Sequence, residues 1–333
     1  MHRSSALVAA IWATIWATIW GTIWGTIWGT LSLAASAAAA QAPLPLSPTQ
    51  TLPQSGGAAL AIAVRGEPAQ PGRVLEITVS EPGLREVRGT AFDRPLAFYP
   101  GSQPGTWQAL AGVDVAQAPG PATVYVEANG ASGPPRSGSR TVVVGVRTFR
   151  TRQLRVASQF VDPSQTEVER LQAEAARLEA IFASVTPRVW TGSFAQPVPG
   201  VAGSNFGTRS VFNGEPRAPH AGVDFRGAVG TPIAAPAAGR IVLAEPLFFT
   251  GQTVIVDHGA GVFSLLAHLS RIDVAVGDSV GRGTTVGLLG ATGRVTGPHL
   301  HWAVRLGTAR VDALSLVGLL APAQPRASRR RAR

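Results

Sequence analysis

The chain contains no cysteine and no lysine, and it is poor in histidine. Without cysteine no disulfide can form, and no thiol is present to carry the lipid of a lipoprotein, so packed cores alone must supply stability. At 333 residues the chain is long enough for a leader and two domains, each able to bury its own core. Without lysine, all 29 basic residues are arginine, and there is no side-chain amine on which a carried cofactor could be mounted. Histidine occurs six times, and five of the six fall between His220 and His301.

Imidazole is the commonest metal ligand and the one side chain that moves protons near neutral pH, so this clustering points to a metal site. In His299-Leu300-His301 the two histidines are two residues apart, which puts both rings on one face of a β-strand. His220 and Asp224 flank a glycine in a segment that reads as a loop running into a strand. Together with either His299 or His301 they provide two nitrogens and a carboxylate oxygen. That is a normal three-ligand set for catalytic zinc, with the fourth position left to water.

Taken in order, residues 1–40 form a unit apart. Arg3 gives a positive start, residues 6–31 carry no charge, and Ile-Trp-Ala/Gly-Thr repeats five times from Ile11 to Thr30. Small residues follow up to Ala40, the plan of a secretory signal peptide cleaved nearby. The apolar run is also long enough to span a bilayer, so an uncleaved anchor associating with the membrane through residues 6–31 is the alternative. Residues 41–56 are a Pro-rich linker.

Within 57–150, seven short alternating runs (59–65, 74–80, 86–90, 96–99, 107–115, 122–128 and 141–149) are punctuated by Pro-Gly turns. They predict a small β-sandwich, immunoglobulin-like in style, acting as an accessory domain. A connecting helix is predicted within 160–186, with Ser164 and Glu167 as its capping box and Val168, Leu171, Ala175, Leu178 and Phe182 as its apolar stripe. That stripe fits a connector packed on its own domains better than a coiled-coil partner, being under three heptads long. Residues 189–320 read as a Gly-rich, all-β domain with strands near 239–244, 252–257, 261–268, 284–289 and 299–304. The run from Val276 to Gly290 has the texture of the lipoyl and biotinyl carrier hairpin, which the missing lysine excludes. Residues 321–333 form a basic, disordered tail that contributes to the net charge of +10. Such a tail could meet nucleic acid, but the leader directs the protein away from it, and no nucleic-acid partner is expected.

His220-x-x-x-Asp224, then Ala267-His268-Leu269, then Thr292-Gly-x-x-Thr-Gly-Pro-His-Leu-His-Trp302 resemble the lysostaphin/LytM-type zinc metallopeptidase family, the peptidoglycan endopeptidases of bacterial cell walls. The resemblance covers roughly residues 190–317 and takes in Asn205-Phe206-Gly207-x-Arg209 and Gly230-Thr-Pro-Ile-x-Ala235. It implies one Zn2+ per chain held by His220, Asp224 and His301, with His268 and His299 as the unligated catalytic pair. It also implies a C-terminal β-sheet metallopeptidase domain and a secreted endopeptidase acting on peptide cross-links or stem peptides of peptidoglycan. The location implied is the periplasm or cell envelope. The all-arginine composition and two-domain plan resemble members from Gram-negative bacteria, whose usual target is the D-Ala–diaminopimelate cross-link. The rival readings are a non-catalytic wall-binding regulator of amidases and a bacteriolysin cutting glycine-rich peptides; the intact five positions favour the enzyme. Relatives often carry Tyr where this chain has Leu266, which puts a substrate contact or a packing detail in question. His258 matches no ligand or catalytic position and reads as structural.

Overall fold

A computed structural model describes residues 60–131, 133–155, 164–203 and 205–321. The expected leader, the linker and all but the first residue of the tail lie outside these. Among the described residues no helix is long and apolar enough to cross a membrane.

The N-terminal part is built from β1 (Ile62–Arg65), β2 (Val74–Ser80), β3 (Leu84–Ala91), β4 (Arg94–Pro95), β5 (Tyr99–Pro100), β6 (Thr106–Gly112), β7 (Gly120–Gly130) and β8 (Arg136–Val144). They form two four-stranded sheets, β1-β2-β6-β5 and β4-β3-β7-β8. Period-two patterning turns Leu75, Ile77 and Val79 of one sheet and Val124, Val126 and Val142 of the other into a shared core. The single strand expected at 96–99 does not form. Proline lacks the N–H that a ladder needs, and Pro95 and Pro100 instead end two short pairings, β4 with β3 and β5 with β6. The chain between them crosses from one sheet to the other, with Leu96 and Phe98 packed on the core.

After β9 (Thr151–Leu154) comes α1 (Gln165–Ala183), whose capping box of Ser164 and Glu167 is formed as expected. The second part contains β10 (Arg209–Phe212), β11 (Glu215–Pro216), β12 (Gly222–Arg226), β13 (Pro232–Ala234), β14 (Gly239–Leu247), β15 (Gly251–Gly259) and β16 (Val262–Ile272). It continues with β17 (Ser279–Val280), β18 (Thr285–Leu289), β19 (His299–Leu306), β20 (Ala309–Val311) and a second helix, α2 (Ala313–Leu320). A nine-stranded sheet runs β12-β19-β16-β15-β14-β17, with β13, β18 and β20 branching from it. One face buries Val223, Phe225, Val254, Leu266, Trp302 and Val304. The opposite face is half covered by α1, whose Leu178 and Phe182 pack on Ile255, Phe263, Leu265 and Ala303. The apolar stripe of the helix is therefore spent on its own chain.

Helix α2 was not expected. Its sequence, Ala-Leu-Ser-Leu-Val-Gly-Leu-Leu, is apolar nearly all round, so no polar face marks out the side formed by its buried Ala313, Leu316 and Leu319. It lies between the sandwich and the large sheet. Val74 N–H donates to Ser315 Oγ (2.9 Å), Arg65 Nη1 to the Leu319 carbonyl (2.7 Å) and Asp312 N–H to the Gly72 carbonyl (2.8 Å). Beside it, Asp114 and Arg310 form an ion pair with both side chains only 6% exposed. Asp114 accepts from Arg310 N–H (2.9 Å), Nε (3.0 Å) and Nη2 (2.7 Å), and from Ala116 N–H (2.8 Å). Burial works to raise its carboxyl, but these hydrogen bonds and the Arg310 charge hold it below the ordinary range.

Candidate metal centre

Strands β12 and β19 pair antiparallel, and their register sets Asp224 directly opposite His301. Directly opposed residues share a sheet face and stand close enough to touch. His301 Nδ1 donates to Asp224 Oδ1 at 2.9 Å, and His220 Nε2 lies 3.1 Å from the same oxygen. His220 precedes β12 in a loop held by two backbone hydrogen bonds, Gly207 N–H to the His220 carbonyl (2.7 Å) and His220 N–H to the Thr208 carbonyl (2.9 Å). Its ring meets that of His301 edge-on, centroids 4.7 Å apart. Gly222 makes the approach possible: a Cβ there would sit 2.5 Å from His301 Cε1.

His299, two residues before His301 on β19, faces the same side, with Nε2 3.9 Å from Asp224 Oδ1. His268 arrives by a different route. Gln252 pairs with Leu269 and Val254 with Leu266, so two residues of β16, Ala267 and His268, span one of β15. This is a β-bulge, the usual device for re-aiming a side chain beside a site. His268 takes the left-handed conformation (φ 66°) and its backbone N–H bonds the Thr250 carbonyl (2.9 Å). Strict alternation would send it to the face opposite Ala267; the bulge returns it, and its ring comes within 4.8 Å of His299 and 6.0 Å of His301.

The tautomers of both residues follow from their partners. His268 Nδ1 bonds the Thr292 carbonyl (2.9 Å) and His299 Nδ1 the Gly297 carbonyl (2.8 Å). A carbonyl only accepts, so each Nδ1 carries the hydrogen and each neutral ring keeps an Nε2 lone pair. Burial, with the neighbouring His301 charge, pushes the His268 pKa down to about 3 against the opposing pull of the Thr292 carbonyl. At Asp224 burial acts to raise the pKa, but hydrogen bonds from His220 and His301 outweigh it and hold the carboxyl well below the carboxylate range. His301 is lowered chiefly by its burial.

The donor set fits a metal ion. His220, Asp224 and His301 each offer one ligand atom, all within 4.8 Å of one another, and two imidazole nitrogens with a carboxylate oxygen suit zinc. Each of these two histidines also has a buried ring nitrogen with no hydrogen-bond partner, Nδ1 of His220 and Nε2 of His301.

All five residues singled out in the sequence thus stand together. His258 stands apart in the core, bonded to the Ala238 carbonyl (2.8 Å) and Ser264 Oγ (2.9 Å), and burial lowers its pKa to about 4. Leu266 is buried and pairs with Trp302 on the apolar face, so it is a packing residue. Sequence reasoning quoted Thr292 in the motif without a role; its hydroxyl donates to the Leu269 carbonyl (2.7 Å) and accepts from Gln252 N–H (2.9 Å), pinning the loop that holds His268. It also gave no role to Asn205, whose amide touches the Asp224 carboxylate (2.5 Å).

The family model described as Peptidase family M23 matches residues 218–313. Over 112 residues the chain is 39% identical to Peptidoglycan DD-endopeptidase ShyA of Vibrio cholerae, a match covering 33% of this chain and 26% of that protein. Over 97 residues it is 39% identical to DD-carboxypeptidase/endopeptidase Mpg of Neisseria meningitidis, covering 29% of this chain and 22% of the relative. The match thus spans about a quarter of the length of these curated relatives. A crystal structure of a peptidase M23 from Pseudomonas aeruginosa superposes with a TM-score of 0.59 at 33% identity, covering 76% of this chain and 96% of that one.

Proposed function

The chain belongs to peptidase family M23, and from that premise we propose that it is an exported, zinc-dependent endopeptidase that hydrolyses peptide cross-links or stem peptides of peptidoglycan. The observation that carries this reading is the pairing, on one sheet face, of a His220–Asp224–His301 ligand set with two histidines whose Nε2 lone pairs are bare. One curated relative is named as a peptidoglycan DD-endopeptidase and another as a DD-carboxypeptidase/endopeptidase, which supports the substrate class.

In this reading His220, Asp224 and His301 hold the ion. Zinc bound there would polarise the scissile carbonyl and bring the pKa of its water towards neutrality. The chain's own residues move the protons. His299, bordering Asp224, accepts the proton of the attacking water at Nε2 and, once protonated, donates it to the leaving amine. His268 is held neutral by burial, with Nδ1–H fixed on Thr292, so its Nε2 accepts a hydrogen bond from the same water and orients it. A wall-binding regulator would have no use for two bases with fixed tautomers. Digestion of purified peptidoglycan followed by mass analysis of the products tests the proposal: new amine and carboxyl ends at a peptide bond support it, and intact muropeptides would refute it.

A further inference from the structure

Asp224 lies between two sets of partners. Oδ1 faces His220 Nε2 at 3.1 Å and His301 Nδ1 at 2.9 Å. Oδ2 faces the other way and accepts from Asn205 Nδ2 at 2.5 Å. Asn205 answers through its own oxygen as well, with Asp224 N–H directed at Asn205 Oδ1 at 3.4 Å. The backbones are tied alongside, Gly203 N–H donating to the Asp224 carbonyl at 2.8 Å. Asn205 thus grips both the carboxylate and the amide of one residue. Its own place is set by the turn in which Thr208 N–H bonds the Asn205 carbonyl (3.1 Å) and from which Gly207 and Thr208 hold His220.

We propose that Asn205 is a positioning residue for the metal site: by occupying Oδ2 it commits Asp224 to offering Oδ1 alone, turned toward the two imidazoles. This rests on the reading of His220, Asp224 and His301 as ligands. A carboxylate rotates easily about its last bond and, unrestrained, can present either oxygen or both. A side-chain amide is the right restraint, because its N–H2 donates without adding charge beside the carboxylate. Partners that orient metal ligands from behind typically contribute 10–100-fold to metal affinity.

The test is zinc affinity, measured on the full chain by competition with a chromophoric chelator, for the unaltered protein, N205A, N205L and H220A. Leucine nearly matches asparagine in shape and cannot donate, so N205L separates the hydrogen bond from packing. Both Asn205 variants are expected to bind zinc about 10–100-fold more weakly, while their zinc-free forms unfold at the temperature of the zinc-free parent. The visible spectrum of the Co(II)-loaded variants should also differ from that of the parent, because the carboxylate is no longer held to one oxygen. N205L binding zinc as tightly as the parent, with an unchanged Co(II) spectrum, would overturn the positioning role. Failure of the unaltered protein to take up zinc, or equal uptake by H220A, would instead overturn the ligand assignment beneath it.

Discussion

Replacing Asp114 by alanine removes one half of the buried ion pair where the sandwich meets the large sheet. Three N–H groups of Arg310, one from the backbone and two from the guanidinium, lose their acceptor together, and so does Ala116 N–H. With both side chains only 6% exposed, water reaches the abandoned guanidinium poorly. Arg305 adds to the strain: burial and the Arg310 charge already press its pKa down to about 9, and Asp114 is the group that offsets them. Breaking a buried pair from one side typically costs about 3–5 kcal/mol, much of it the cost of leaving the other charge uncompensated. D114A should therefore lose about 3–5 kcal/mol in urea denaturation of the full chain, a large share of ordinary domain stability. The double variant D114L/R310M removes both charges and keeps apolar volume, and it should recover most of that loss. The pH dependence follows from the lowered Asp114 carboxyl. Its contribution is complete above the unfolded value of about 3.9 and disappears as pH falls through the folded one. A D114A loss under about 1 kcal/mol, or a double variant no better than the single, would show that the pair is not desolvated as its geometry requires.

Freshly purified protein should contain about one zinc per chain, and H220A or D224A should remove most of it; elemental analysis finding no transition metal in the parent would refute the ligand set. Within the His-x-His pair, H301A should lose zinc, whereas H299A and H268A should keep it and lose about 10²–10⁴-fold in turnover; zinc lost from H299A but retained by H301A would reverse the two roles. His258, neutral in the core with its pKa lowered from 6.5 to about 4, contributes stability that is complete above pH 6.5 and drains away as pH falls towards 4, roughly 3 kcal/mol at most. Urea midpoints measured across that window should fall more steeply for the parent than for H258Q; parallel curves would refute the assignment.

The sequence carried much of the site because its geometry is local. Two histidines two residues apart share a strand face by pleat alone, and both side chains of the His299/His301 pair do reach Asp224. The capping box of α1 was legible for the same reason, since its two residues lie three apart. What resisted reading was long-range or irregular. No pattern announces that residue 224 will stand opposite residue 301, since that follows from the order of strands in the finished sheet. The bulge at Ala267–His268 hides in an apolar run whose residues are ordinary for a strand. Two prolines turned one expected strand into a crossing between sheets. Helix α2 escaped because its less buried side carries Leu314, Val317 and Gly318 in place of charged residues, so the buried Ala313, Leu316 and Leu319 do not stand out as a stripe.

The bulge in β16 also divides the site by construction. Asp224 and His301 belong to an unbroken ladder, whereas His268 owes its place to one extra residue held in a left-handed conformation that costs about 1–2 kcal/mol. A β16 that kept its length but lost the bulge would alternate regularly and turn His268 to the face opposite Ala267, leaving the ladder that carries the proposed ligands as it is. On the roles proposed here, holding an ion and using it to hydrolyse a bond are therefore independently losable properties of this sheet. Within such an architecture an efficient hydrolase and a feeble one that still holds its ion would differ by one irregularity in one strand.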